Sequence, residues 1–327
     1  RLAVGSADAA VAGGQAHPGA VPVLPAGVGL GRGLVDLHAA AHAVVPPGQV
    51  GRAQVGVDHA EVGHDLDQGC YDQSALMRRY DLIKEICDSM IELGWNPYQN
   101  DHEDANGQFE MNWDYSDCLI TADRHVFFKF MVKSLAEKHG LRATFMPKPF
   151  SNLTGNGCHA HVSCWDGKKN KFLDKSDKLG LSKTAYNFLG GLIKNADSLS
   201  AFFNPTINSY RRINAPPTKS GATWSPSSIS YTGNNRTHMV RIPDQGRFEL
   251  RLMDGSANPY LLQAGVIAAG LDGLNNKIDP GEPLHCNMYE DHEKYPDLPK
   301  LPNDLNESLE RLKDNKMINE AFGSDVI

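Results

Sequence analysis

A chain of 327 residues can form one large domain or two ordinary ones, with a sizeable hydrophobic core. Its formal net charge of −7 argues against a general affinity for nucleic acid. Its six cysteines include no CxxC pair, so neither a zinc knuckle nor a disulfide framework is indicated, and a reducing cytoplasmic compartment fits.

Residues 1–70 differ in composition from the rest of the chain. They contain no Lys, Ile, Phe, Tyr, Trp, Asn, Thr or Met. Most of the missing types have AT-rich codons, which indicates GC-rich DNA read out of frame, on the wrong strand or from a mispredicted exon. A genuine but disordered leader is the alternative. Prolines and glycines break the uncharged segment 9–31, which argues against a membrane span or a signal sequence. We therefore expect no fold and no chemistry in 1–70, and one domain over 71–327.

The first periodic segment of that domain is followed by a strong turn signal. Apolar residues recur every three or four positions over 74–93, which predicts an amphipathic helix ending at Gly94. Asn106-Gly107 then favours a two-residue type I′ hairpin turn, which would place Glu103 directly opposite Glu110. Two facing carboxylates repel each other unless a cation lies between them, and oxygen ligands favour Mg²⁺ or Mn²⁺. An exposed hairpin with both side chains in water is the alternative.

Asp123 is predicted to N-cap a second helix, which Gly140 ends, and residues 142–146 then indicate a buried strand. The inward face of the second helix is predicted to contain Phe127, Phe130, Met131, Ser134 and Leu135.

A glycine-bearing loop over 150–157 allows backbone N–H groups to approach a small ligand closely. It leads into a predicted strand over 158–163, on which His159, His161 and Ser163 share one face. Two histidines in this spacing can bind a metal or form a polar rim, and the motif alone leaves both open.

Three further helices are predicted over 182–203, 258–274 and 304–314. The first contains a Gly190-Gly191 pair that suggests close helix packing. The loop after it contains Arg212 but no acidic residue before Asp244, which fits a loop around an anionic ligand or a plain surface loop.

The segment 236–254 is predicted to form two strands joined by a turn at 243–246. Charged and apolar residues alternate after this turn, which places Arg247, Glu249 and Arg251 on one face and three apolar side chains on the other. Arg236 and Arg241 lie on the preceding strand. So many arginines favour phosphate and carboxylate recognition over the alternative, a solvated sheet face.

Together these motifs provide carboxylates and an imidazole for divalent metal, arginines for anions and a glycine loop for backbone contacts. That set suits ATP-dependent phosphoryl transfer to a carboxylate. The sequence contains no Walker-type loop and no GxGxxG motif, and no nucleophile with a paired base stands out.

The segments HEDANGQFE, ATFMPKP, GNGCHAHVS, NPTINSYRR, NNRTHMVRIP and RFELRLMDGSANPYL closely resemble the glutamine synthetase family, in the family's order, over about 71–327. The resemblance implies an α+β fold shared with guanidino kinases, a curved antiparallel sheet flanked by helices. It implies a reaction that phosphorylates the glutamate side chain with ATP and lets ammonia displace phosphate, in a homo-oligomeric ring with no membrane or nucleic-acid partner.

Site roles follow from the resemblance residue by residue. Glu103 and Glu110 would bind a first Mg²⁺ or Mn²⁺ ion, and His159 and Glu249 a second. Glutamate would be held by Gly155, Arg212 and Arg251, with Arg212, Arg236 and Arg251 catalytic. ATP would contact His161, Ser163, Arg236, Arg241 and Arg247.

Two departures from the family pattern qualify these expectations. A small β-grasp domain and a strand with two metal-binding glutamates are expected upstream, where this chain has residues 1–70, so we expect little or no synthetase activity from the chain as given, although ATP should still bind. The loop after Arg212 lacks the usual catalytic glutamate and resembles a branch with RINAP, some members of which use another amine. A γ-glutamylamide synthetase for an alkylamine such as methylamine and a non-catalytic scaffold are the alternatives.

Overall fold

The computed structural model describes the backbone of Gly33–His42 and residues 70–217, 223–323 and 325–327. The strands are β1 (Gly33–His42), β2 (Pro97–His102), β3 (Gln108–Trp113), β4 (Ser116–Asp117), β5 (Cys158–Asp166), β6 (Lys169–Asn170), β7 (Tyr231–Thr232), β8 (Val240–Arg241) and β9 (Phe248–Leu250). The helices are α1 (Gln73–Met77), α2 (Tyr80–Glu92), α3 (Cys118–Lys138), α4 (Lys183–Phe203), α5 (Ile207–Ile213), α6 (Pro259–Asn276), α7 (Met288–Asp291), α8 (Leu305–Asp314) and α9 (Lys316–Phe322), with a 3₁₀ turn at His292–Lys294.

The strands form one sheet in the order β2-β3-β1-β5-β9-β8-β7, with β4 beside β1 and β6 beside β5. All recorded pairings are antiparallel except that of β7 with β8. Strand β1 occupies the middle of this sheet, where His38 is the register partner of His159 and Ala40 that of Glu110. The expectation of no fold in 1–70 is therefore wrong for Gly33–His42, and residues 1–32 and 43–69 lie outside the described residues.

The main hydrophobic core lies between the sheet and the pair α4 and α6. Alternation along β9 buries Phe248 and Leu250 against this core, as the sequence predicts. The predicted close packing at the glycine pair is also confirmed, because a Cβ at Gly191 would collide with the carbonyl oxygen of Ala269 on α6. Packing of backbone against backbone thus fixes α4 and α6 behind the sheet.

A second hydrophobic core lies under β2 and β3. The elements around it differ from the sequence predictions in four respects. The predicted helix over 74–93 is divided into α1 and α2. Helix α3 begins after Asp117, six residues before the predicted N-cap. Its buried face contains Phe128, whereas Phe127 and Phe130 are 44% and 65% exposed. Residues 142–146 form no strand, although Phe145 is buried in the second core.

The β2–β3 hairpin has a longer loop than the sequence predicts. Glu110 is the register partner of Asp101, not of Glu103, so the predicted register is wrong by two residues. The N–H of Glu103 donates to the carbonyl of Gln108 at 2.8 Å, which leaves the four residues 104–107 in the loop. Gly107 has a φ of +65° while Asn106 is not in the left-handed region, so the turn is not type I′.

Tertiary hydrogen bonds explain this longer loop. The Gln108 side chain accepts from the N–H of Ala105 and donates to the carbonyl of Gly155 and to Asn156. These bonds tie the hairpin to the glycine loop, a partner that local sequence does not reveal. Within the described residues, no helix is both long and apolar enough to cross a membrane.

Candidate active site

A cavity of about 330 Å³ opens on the face of the sheet opposite the main core. All but one of the residues assigned a role from the sequence line it: Glu103, Glu110, Gly155, His159, His161, Arg212, Arg236, Arg241, Arg247, Glu249 and Arg251. The exception is Ser163, whose hydroxyl accepts a hydrogen bond from the Trp165 indole at 2.9 Å. The alternating face of β5 and β9 therefore faces a polar cavity and not bulk solvent.

Glu249 is the ionic centre of this cavity. Its carboxylate accepts from Arg251 at 2.6 Å and from Arg241 at 2.8 Å, and lies 3.2 Å from Nδ1 of His159. Burial alone raises the pKa of Glu249, but the charge of Arg251 and the His159 contact outweigh burial and hold that pKa well below its usual value. Glu249 is consequently a permanent anion between two arginines.

His159 is held as a neutral imidazole. Burial, followed by the charge of Arg251, lowers the pKa of His159 to about 3. We infer that Nδ1 carries the proton, because Nδ1 faces the Glu249 carboxylate. Nε2 then keeps its lone pair, and it is buried without a hydrogen-bond partner. A carboxylate behind an imidazole with a free nitrogen is the arrangement typical of metal-binding histidines.

Glu103 and Glu110 form an acidic pair in the same cavity. Burial, followed by the charge of Glu110, raises the pKa of Glu103 to about 8. Burial also raises the pKa of Glu110 to about 7, against a hydrogen bond from Asn112 and with the charge of Glu249 adding to the rise. Two half-buried carboxylates of this kind favour the protonated form unless a further cation lies beside them. Their oxygen donors and the free His159 nitrogen fit hard divalent ions such as Mg²⁺ or Mn²⁺.

The sequence-based assignment gives two protein ligands to each of two ions, Glu103 with Glu110 and His159 with Glu249. Within the described parts of the chain, no three His, Cys, Asp or Glu side chains lie close enough together to hold an ion by themselves. Mg²⁺ commonly takes one or two carboxylates and completes its shell with waters and substrate phosphates. The donor set fits an ion of this kind, which would bind together with a phosphate-bearing substrate.

Arg212 approaches the same place from α5. A capping box between Thr206 and Ser209 begins this helix, and Arg212 is 2% exposed. One of its terminal nitrogens donates to the carbonyl of Leu252 at 3.3 Å, and the other, Nη2, is buried without a partner. A Cβ at Gly157 would lie 2.7 Å from His159 Nε2 and 3.1 Å from Arg212 Nη2, so only glycine leaves this space open.

Two unpaired guanidinium donors belong to the cavity wall, one of them beside the glycine loop. Arg212 Nη2 and Arg251 Nε are buried and have no hydrogen-bond partner in the structure. A buried donor left unpaired is costly, and a guanidinium suits a carboxylate. This end of the cavity is accordingly suited to a small carboxylate ligand.

The other end of the cavity is cationic and more open. Arg247 donates to Asp244 at 2.9 Å and contacts the His161 ring. Arg241 also donates from its Nε to Asn234 at 2.8 Å. Together with Arg236, these groups offer several separate donors to a polyanion such as a triphosphate.

Sequence reasoning missed the aromatic residues that line this cavity: Tyr71, Tyr98 and Trp224. Trp224 follows Thr223 in the acid-free loop and has a φ of +55°. The only sequence signal for it is a large aromatic residue in a segment otherwise rich in Gly, Pro and Ser. Such a segment does not reveal a left-handed backbone.

Comparisons with known proteins match most of this chain to one family. The family model described as glutamine synthetase, catalytic domain, matches residues 44–327. The chain is 62% identical over 261 residues to a glutamine synthetase of Rhizobium meliloti (strain 1021), covering 79% of this chain and 60% of that protein. It is 46% identical over 272 residues to a glutamate–methylamine ligase of Methyloversatilis universalis, covering 82% of this chain and 61% of that protein.

A solved structure titled as a GmaS/ADP complex matches with a TM-score of 0.80 and 54% identity, covering 90% of this chain and 66% of that one. GmaS without ligand matches with a TM-score of 0.79 and 51% identity, covering 90% and 65%. The chain thus spans about three fifths of the length of the curated relatives named above.

Proposed function

The chain belongs to the glutamine synthetase family, and we propose from this premise that it activates the γ-carboxylate of glutamate with ATP and joins it to ammonia, giving glutamine. The observation that supports this most directly is the pair of unpaired arginine donors at Arg212 and Arg251, which line the same cavity as the Glu103–Glu110 carboxylates and the His159–Glu249 pair. A cavity built this way can bind a carboxylate and a metal–nucleotide next to each other.

The reaction has two balanced steps. An oxygen of the γ-carboxylate attacks the γ-phosphorus of ATP, the bond to the bridging oxygen breaks, and ADP leaves with that electron pair. The amine nitrogen then attacks the acyl carbon, the carbon–oxygen bond to phosphate breaks, and the nitrogen loses a proton. Inorganic phosphate and the amide are the products.

The chain's own residues divide the work by position. Arg212 and Arg251 orient the glutamate, and the glycine loop at Gly155 lets its backbone approach closely. The open cationic end holds the phosphates through Arg236, Arg241, Arg247 and His161. Glu103 with Glu110, and His159 with Glu249, would hold Mg²⁺ or Mn²⁺, which neutralises charge on the transferred phosphoryl group.

A small alkylamine is the second candidate for the acceptor. The loop between Arg212 and Asp244 carries no carboxylate, and it places Trp224 at the cavity wall. The methylamine ligase and GmaS relatives are similar to this chain over most of its length. We further propose that the reaction takes place in the cytoplasm, in a homo-oligomeric ring, with residues 71–327 and strand β1 together forming the catalytic domain.

The test is product formation with ATP, glutamate, Mg²⁺ and either ammonia or methylamine, followed by mass spectrometry of the amide and by phosphate release. Arg212→Lys loses the bidentate fork and should reduce kcat/KM by about 100-fold or more. Arg211→Lys is the matched control, because Arg211 is exposed on the same helix. If no phosphate is released with ammonia or with methylamine, a non-catalytic scaffold is favoured. If Arg212→Lys and Arg211→Lys lower kcat/KM equally, the role of Arg212 is refuted.

A further inference from the structure

Trp224 has an unusual backbone for a residue of its size. Its φ of +55° lies in the left-handed region, which bulky side chains adopt only where the surrounding structure holds them. Such residues concentrate at binding sites, and Trp224 lines the cavity described above. The observed outlier, together with its place in the cavity wall, points to a function for the indole.

A local turn holds Trp224 in this conformation. The hydroxyl of Thr223 donates to the carbonyl of Ser225 at 3.1 Å and accepts from the N–H of Ser225 at 3.4 Å. Ser225 is buried, which anchors one end of this turn in the protein. These hydrogen bonds join the two sequence neighbours of Trp224 and so hold its backbone in this conformation.

Trp224 lines the same cavity as Arg212 and Arg251, the two arginines proposed above to orient glutamate. The acceptor amine must enter this cavity to reach the γ-carboxylate of that glutamate. The indole therefore forms part of the wall of the cavity that the amine enters.

The chemistry of the wall indicates the class of amine. No acidic residue occurs between Arg212 and Asp244, so this loop offers a cation an aromatic face and no carboxylate. An aromatic face attracts any ammonium ion, but only an alkylammonium also buries apolar surface on it. A methyl or similarly small alkyl group on the amine would bury apolar surface against the Trp224 indole, and ammonium has no such surface to bury.

We propose that Trp224 is the specificity-determining residue for the acceptor, and that its indole packs against the alkyl group of a small primary alkylamine. The proposal deepens the ligase function proposed above and rests on it. Trp224 changes the ratio of methylamine to ammonia use, and it acts through binding of the acceptor and not through the phosphoryl step.

The first experiment compares kcat/KM for methylamine and for ammonia in the wild type, Trp224→Gly and Trp165→Phe. Glycine removes the indole and suits a φ of +55°, so the variant retains the backbone. Loss of one packed methyl group should lower the methylamine-to-ammonia ratio about fourfold in Trp224→Gly, mainly through the KM for methylamine. Trp165 stacks on Tyr115 outside the cavity wall, so Trp165→Phe should leave the ratio unchanged. An unchanged ratio in Trp224→Gly would overturn the proposal.

The second experiment does not depend on turnover. Methylammonium chloride is titrated into the protein with glutamate, against ammonium chloride at the same ionic strength, while tryptophan emission is recorded. We expect a saturable change with methylammonium that Trp224→Phe removes and Trp165→Phe retains. If the wild type shows no turnover with either amine, the ligase function fails, and emission alone decides the role of Trp224. No saturable change, or one that survives Trp224→Phe, refutes it.

Discussion

Glu110→Gln tests the Glu103–Glu110 pair, because it removes one charge while keeping the side-chain length. Its carbonyl can still accept the hydrogen bond that Asn112 donates to Glu110 at 3.3 Å. The pKa values of about 8 for Glu103 and about 7 for Glu110 lie above the ordinary value of 4.5. The folded state thus binds more protons than the unfolded state. The contribution of this pair to metal-free stability should be largest below pH 4.5 and should fall as pH rises toward 8.

The substitution should flatten this decline, because Glu103 loses the neighbouring charge. Without divalent metal, Glu110→Gln should therefore unfold at a higher temperature than the wild type at pH 8. With Mg²⁺ present, the wild type should instead unfold at the higher temperature. At a concentration about 100 times its Kd, a ligand stabilises by about 2.7 kcal/mol, which corresponds to about 5–10 °C in Tm for a domain of this size. The wild type should show that shift, and the variant should lose most of it.

The assay is thermal unfolding at pH 6 and pH 8, with and without Mg²⁺. Glu92→Gln is the matched control, because Glu92 is an exposed carboxylate at the end of α2, and it should behave as the wild type. A Mg²⁺ shift in Glu110→Gln as large as that of the wild type would show that Glu110 does not bind the ion. A variant less stable than the wild type at pH 8 without metal would contradict the electrostatic argument.

Three further predictions concern packing and charge. Arg251→Gln leaves the buried Glu249 short of one partner and should lower the free energy of unfolding in urea by about 3 kcal/mol. Arg311→Gln, in an exposed ion pair, should lower it by less than about 1 kcal/mol, and similar losses in both variants would contradict the buried ion-pair argument. Gly191→Ala should cost about 3 kcal/mol or more, because it separates α4 from α6, while Gly233→Ala, whose Cβ would meet only a flexible side chain at 3.3 Å, should cost far less; equal urea midpoints would refute the close approach. Trp224→Gly should be about 1 kcal/mol more stable than Trp224→Ala in the same assay, and a more stable alanine variant would argue against the left-handed backbone.

The parts of the site that sequence predicted correctly depend on short-range periodicity. Alternation along β9 places Glu249 and Arg251 on one face and Phe248 on the other, because a strand has no other way to arrange consecutive side chains. The identity of His159 as a cavity residue follows from the same rule on β5. Neighbours in sequence decide these orientations, and no distant contact alters them.

The errors arise where distant contacts compete with local preference. Asn106-Gly107 favours a two-residue turn, but hydrogen bonds from Gln108 to the glycine loop stabilise a longer one. Helix α3 carries apolar residues on more than one face, so residue spacing does not identify the buried face. The prediction therefore assigned Phe130 to the core, whereas Phe128 is the buried residue. The backbone of Trp224 depends on hydrogen bonds between its neighbours and has no signature in residue type.

Strand β1 is the sharpest disagreement between composition and structure. The missing residue types of 1–70 predict a segment without fold, while the sheet places Gly33–His42 between β3 and β5. A strand paired on both sides contributes ladder hydrogen bonds to two neighbours. The sheet beside the cavity thus depends on a segment whose composition argues against any fold.

The variant Leu37→Pro tests whether Gly33–His42 form a strand, as in the structure, or no fold, as the composition predicts. Leu37 is the register partner of Ala160 on β5, in the middle of the ladder. Proline removes one N–H donor and cannot fit a central strand. The free energy of unfolding should therefore fall by at least about 1 kcal/mol, and backbone hydrogen exchange in β5 should become faster. Leu37→Val keeps the donor and should change little. If composition is right, Leu37→Pro will leave β5 exchange unchanged, and limited proteolysis will remove residues 1–70 from a domain that stays folded.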